Sequence, residues 1–98
     1  MQQLSPPDLK SWLADVDRSA PFLLDAREPR EYARCHIEGS HLIPMASVPA
    51  RIAEVPKDRD VVVICHQGER SQQVGLCLAQ AGFERVHNLR GGVNACAL

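Results

Sequence analysis

No apolar run in these 98 residues is longer than five. That run, Val61–Cys65, falls far short of the ~20 apolar residues that a membrane-spanning helix needs. Neither sign of charge dominates: 11 Lys plus Arg stand against 12 Asp plus Glu, for a net charge of −1. Such a balance supports neither nucleic-acid binding nor a basic membrane-surface patch, so an anionic ligand must be recognised by a local site. The first residues, Met1–Asp8, have no basic stretch leading into an apolar one. They do not read as a signal peptide, and the expected compartment is the cytoplasm. Cys35, Cys65, Cys77 and Cys96 are spaced in no zinc-ribbon, zinc-finger or C-x-x-C pattern. In a reducing compartment they are expected to be mostly free thiols. Neither a ligand cluster nor a nucleotide-binding motif is visible, so no metal or organic cofactor is implied. Internal repeats, low-complexity tracts and linkers are missing too. A chain this short holds one core, and residues 1–98 read as a single domain.

What is present is ordinary globular composition, 45% hydrophobic and 23% charged. Ser5 followed by Pro6 and Asp8 is a helix start, and Leu9, Trp12, Leu13 and Val16 predict one apolar helical face. Phe22–Leu24, ending at Asp25, reads as a short buried strand, and Glu28–Arg34 as a short helix. Leu42-Ile43 predicts a brief strand closed by Pro44, and Val48, Ile52 and Val55 a helix from about Met45, interrupted by Pro49. Val61–Cys65 is the strongest strand signal: continuous and β-branched, as a central parallel strand covered on both faces should be. Val74, Cys77, Leu78 and Ala81 place a helix over Ser71–Ala81 with Gly82 as its C-terminal cap, and Val86–Leu89 forms a last strand. Alternating strands and helices predict an α/β domain with a mainly parallel sheet.

Ligands of such sheets bind beyond the carboxyl ends of the strands, where Cys65 stands. The segment Cys65-His66-Gln67-Gly68-Glu69-Arg70-Ser71 joins the central strand to a helix. A short connection of this kind can turn backbone N–H groups inward as an anion-binding nest. The helix adds its dipole and its unpartnered first N–H groups. Gly68 permits backbone conformations other residues resist, and Arg70 could fork two donors onto an oxyanion. A sulfur facing those donors is favoured as a thiolate. The bland alternative is that Cys65 is the inert buried end of a core strand, since cysteine is among the most buried residue types. The glycine, the arginine and the following helix favour the reactive reading. Cys77 falls on an apolar helix face and reads as core, while Cys35 and Cys96, without a comparable loop, are candidates only as resolving thiols.

The chain resembles the rhodanese-like family over nearly its whole length. The resemblance is carried by Leu23–Pro29, Glu31-Tyr32, His36–Ser40, Ile43-Pro44, Val61–Cys65 with its loop to Arg70-Ser71, Ala81–Phe83, Val86, Asn88-Leu89 and Gly91–Val93. It implies a rhodanese-like fold, with helices on both faces of the sheet, and sulfurtransferase chemistry. In that family a loop cysteine takes a sulfane sulfur from a small anionic donor such as thiosulfate, forms a persulfide, and passes the outer sulfur to cyanide or a thiol, which can belong to a protein. Cys65 matches the catalytic cysteine, and His66, Gln67, Gly68, Glu69 and Arg70 match the loop that holds the persulfide. Two half-reactions imply ping-pong kinetics.

Four residues separate Cys65 from Arg70, whereas the related phosphatases and arsenate reductases have five. The tighter ring fits one extra sulfur better than a tetrahedral oxyanion. The competing readings are therefore a non-catalytic rhodanese-like interaction domain and, against the loop count, a phosphatase or arsenate reductase. Asp25 and Arg27 match the family's Asp-x-Arg and are expected to form a structural ion pair, and His36 to be packed and hydrogen-bonded. Cys35 stands where many relatives have Gly, and Cys96 where Trp is common.

Overall fold

The β-branched run becomes β4 (Val61–Ile64), whose four residues have no exposed surface. It lies at the centre of a five-stranded sheet in this computed structural model, which describes residues 2–65 and 68–89, with the side chains of residues 68–71 excepted. In chain order the elements are β1 (Gln2–Leu4), α1 (Pro6–Ala14), β2 (Phe22–Asp25), α2 (Pro29–Arg34) and β3 (His41–Leu42), then α3 (Val48–Arg51), β4, α4 (Gly68–Gln80) and β5 (Val86–Leu89). The strand order is β1-β5-β4-β2-β3, and every pairing is parallel.

Alternation along the strands divides the core between two faces. Leu24 of β2, Val61 and Val63 of β4 and Val86 of β5 face Val48 of α3 and Val74 and Leu78 of α4. Leu23, Val62, Ile64 and Leu89 face Leu9 and Trp12 of α1. Helices therefore cover both faces, as the apolar reading of β4 requires. Each fully buried aliphatic side chain contributes ~1.5–3 kcal/mol through burial alone.

Local chemistry explains the helix ends. Ser5 Oγ accepts the Asp8 N–H at 3.2 Å, capping α1. At the end of α4, Gly82 has φ +96°, the Gly82 N–H donates to Ala79 O and the Phe83 N–H to Leu78 O, a double-bonded helix stop that needs a left-handed residue.

Four expectations are corrected. The apolar face of α1 stops at Trp12: Leu13 is 41% and Val16 96% exposed, because the helix ends at Ala14 and Asp15 turns the chain, its side chain accepting the Asp17 N–H. The helix expected from Met45 is three short pieces, a 3₁₀ turn over Met45–Ser47, α3, and a second 3₁₀ turn over Ile52–Glu54. Pro49 sits in the first turn of α3, where its missing N–H costs nothing. The third strand pairs at His41–Leu42, one residue early, although the Ile43 N–H still bonds Asp25 O. The fourth is α4, which starts at Gly68 and not at Ser71. β1 had no sequence signal, because Gln2 and Gln3 are exposed and only pairing with β5 makes them a strand.

Candidate functional site

Cys65 follows directly on β4, at the carboxyl edge of the sheet, and is not part of a disulfide. Three residues later α4 begins, so Gly68, Glu69 and Arg70 lie in its first turn. N–H groups there lack intrahelical acceptors, and the helix dipole presents its positive end to the sulfur's end of the sheet. The sequence reading took residues 66–70 as a loop. Glu69 and Arg70 are good helix formers, and a first turn tolerates a glycine, which accounts for the earlier start. His66 and Gln67 lie outside the described residues, as do the side chains of Glu69 and Arg70. The expected ring of amides around the sulfur therefore falls largely on residues outside the described ones.

Cys65 is only 3% exposed. That depth is what the reading of Cys65 as the buried end of a core strand expects. The cause lies in the fold: the thiol continues a strand covered on both faces and shares that cover. A groove of about 470 Å³ between α4 and the β1–β5 edge, lined by Gln3, Leu76 and Phe83, does not reach Cys65. Nor does a cavity of about 280 Å³ beside Cys77, lined by Met45, Val48 and Val74.

Beside Cys65 stands a buried ion pair. Asp25 ends β2 opposite Ile64, and the Ala26 N–H donates to Ile64 O at 2.9 Å. Asp25 Oδ1 accepts from the Arg27 backbone N–H at 3.1 Å and from Nε at 3.0 Å, and Oδ2 accepts from Nη2 at 2.9 Å. Nη2 also donates to Cys35 O at 2.8 Å. The hydrogen bond with Asp25 holds the Arg27 guanidinium above its ordinary pKa against the cost of burial, and the charges of Asp25 and Glu31 add to it. The structural pair expected from the sequence is present. Its reach to the Cys35 carbonyl was not foreseen. The Asp-x-Arg spacing at a strand end was the available signal, because residues i and i+2 share a face.

Further out, His36 is exposed, stacks on Tyr32 with ring centroids 3.8 Å apart, and its Nδ1 lies 2.7 Å from Tyr32 O. The Tyr32 hydroxyl donates to Ser40 O, so these residues tie α2 to the turn before β3. Cys35 is disulfide-bonded, against the expectation of free thiols, whereas Cys77 is free and packs against the core as expected. The second candidate resolving thiol, Cys96, and Arg90 lie outside the described residues. Among the described residues no group of three His, Cys, Asp or Glu could hold a metal ion, and no helix is long and apolar enough to cross a membrane.

Comparison with known proteins gives consistent matches. The profile of the rhodanese-like domain matches residues 5–97. A sulfurtransferase of Allochromatium vinosum is 41% identical over 97 residues, covering 99% of this chain and 89% of that protein. The thiosulfate sulfurtransferase GlpE of Pseudomonas aeruginosa is 39% identical over 91 residues, covering 93% of this chain and 79% of that protein. The crystal structure of a rhodanese-like domain protein from Staphylococcus aureus superposes with a TM-score of 0.86 at 27% identity, covering 97% of this chain and 90% of the other.

Proposed function

This chain belongs to the rhodanese-like domain family, and from that premise we propose that it is a rhodanese-type sulfurtransferase with Cys65 as its sulfur carrier. The observation that carries the reading is a cysteine outside any disulfide, placed directly between the central parallel strand and the N-terminus of α4. The Cys65 thiolate attacks the sulfane sulfur of a donor such as thiosulfate. A new S–S bond forms, the donor's S–S bond breaks, and sulfite leaves with the electron pair. An acceptor, cyanide or a thiolate, then attacks the outer sulfur of the persulfide and releases the Cys65 thiolate. His66, Gln67, Gly68, Glu69 and Arg70 are the residues proposed to hold the persulfide, with backbone N–H groups as its donors. No step calls for a metal or an organic cofactor.

The depth of Cys65 shapes this mechanism. With 3% of the residue exposed, the sulfur sits where little water screens its interactions with neighbouring dipoles. The same burial favours the rival reading, an interaction domain whose cysteine is inert. Thiocyanate formation from thiosulfate and cyanide separates the two. Wild-type protein is expected to turn over with ping-pong kinetics, and Cys65→Ser to lose the activity while unfolding cooperatively as before. Turnover by Cys65→Ser at the wild-type rate would remove Cys65 from the mechanism, and inactive wild-type protein would favour the interaction domain.

A further inference from the structure

The chain has four cysteines, Cys35, Cys65, Cys77 and Cys96. Cys35 is disulfide-bonded, whereas Cys65 and Cys77 stand outside any disulfide. A disulfide within one chain takes two cysteines, and elimination leaves Cys96, which lies outside the described residues, as the partner. Cys35 is well placed for such a bond. It caps α2 in an extended conformation, with φ −166° and ψ 147°. Its N–H donates to Glu31 O at 3.2 Å, and its carbonyl accepts from Arg27 Nη2 at 2.8 Å. Asp25 holds that same guanidinium from the other side. The backbone that carries the Cys35 sulfur is therefore fixed by hydrogen bonds on both sides, independently of the cross-link. The residue is half-buried, unlike Cys65, which leaves it open to exchange with small thiols and disulfides.

We propose that Cys35 and Cys96 form a reversible redox clasp, which stabilises the domain when oxidised and gives that stability up when reduced. The loop it closes is about 60 residues long and contains β3, α3, β4, Cys65, α4 and β5. Closing so long a loop removes many conformations from the unfolded chain, and the effect grows with loop length. Opening takes two electrons and two protons from a dithiol. One thiolate of the dithiol attacks a sulfur of the clasp, the cystine bond breaks, and the other cysteine leaves as a thiolate. The second sulfur of the dithiol then attacks the mixed disulfide, frees the first cysteine and closes the dithiol's own disulfide. Closure is the reverse exchange, with a low-molecular-weight disulfide such as oxidised glutathione as oxidant. The thiols expected of a reducing compartment are the open state, and an oxidising one holds the clasp shut. Cys65 takes no part, so the proposal stands apart from the transferase reading.

The test uses no sulfur donor. Trypsin sets each cysteine on its own peptide, because Arg34, Arg51, Arg59, Arg70, Arg85 and Arg90 separate them. Protein equilibrated with oxidised glutathione, quenched in acid and mapped without reductant is expected to yield residues 35–51 joined to residues 91–98, with the Cys65 and Cys77 peptides unlinked to any other. After treatment with a dithiol and iodoacetamide, both halves are expected to appear separately, each alkylated. The urea midpoint of the oxidised protein is expected to lie about 1–2 M above that of the reduced protein. Cys35→Ser and Cys96→Ser, made separately, are each expected to match reduced wild type and to be indifferent to the dithiol, whereas Cys77→Ser keeps the full response. Residues 35–51 found unlinked after oxidation, or joined to a second copy of themselves or to another cysteine, would overturn the proposal. So would a midpoint that reduction leaves unmoved, or a response to the dithiol that survives in Cys35→Ser.

Discussion

Replacing Arg27 by alanine strips the partner from a carboxylate with no exposed surface. Asp25 is 0% exposed, and besides the Arg27 backbone N–H its carboxylate accepts from the Nε and Nη2 groups that the substitution deletes. Removing one member of a buried ion pair costs about 3–5 kcal/mol, because the remaining charge stays in the protein without a counter-ion. The bond from Nη2 to Cys35 O adds about 1 kcal/mol. A domain of this length has roughly 5–15 kcal/mol in total, so the loss takes a third of it or more. Urea denaturation followed by far-UV circular dichroism measures it: with slopes of ~1–3 kcal/mol/M the midpoint should fall by more than about 1 M. Pairing the substitution with Asp25→Asn should recover part of the stability. A loss below about 1 kcal/mol at neutral pH would refute the reasoning, because it would mean that water or another cation reaches Asp25.

Three other outcomes are expected. Gly82→Ala should cost about 1–2 kcal/mol in the same denaturation experiment, through the φ of +96° and not through crowding, since the added Cβ would meet only Lys57 Nζ at 3.5 Å. Leu24→Ala, at a position with no exposed surface between β2 and the α3–α4 layer, should cost about 2–5 kcal/mol. With a substoichiometric alkylating reagent at neutral pH, Cys65 should be labelled before Cys77; burial alone predicts the reverse order, because Cys77 is the more exposed of the two, and mass mapping decides between them.

Much of the architecture was legible because it rests on patterns that local chemistry enforces. The run Val61–Ile64 has no polar interruption and so can only be a strand covered twice. Ser5, Gly82 and the i, i+3, i+4 spacing of Val74, Cys77 and Leu78 carry their own helix ends and faces. What was missed depends on the rest of the molecule. Gln2 and Gln3 become a strand only because β5 offers a free edge, and Val16 leaves its helical face because Asp15 captures the backbone two residues on. For the site, the position of Cys65 followed from strand and helix patterns, but its depth did not: exposure at a strand end depends on what the next residues cover. Asp25 and Arg27 were legible as a pair, whereas the fork's second hold, on the carbonyl of Cys35, joins segments eight residues apart through a fold the sequence does not display.

The most direct measurement is the intact mass of the protein after exposure to thiosulfate, followed by peptide mapping without reductant. A gain of one sulfur atom located on Cys65, discharged by cyanide, is the predicted result. An unchanged mass, or a sulfur found on Cys77 with Cys65 untouched, would contradict the account.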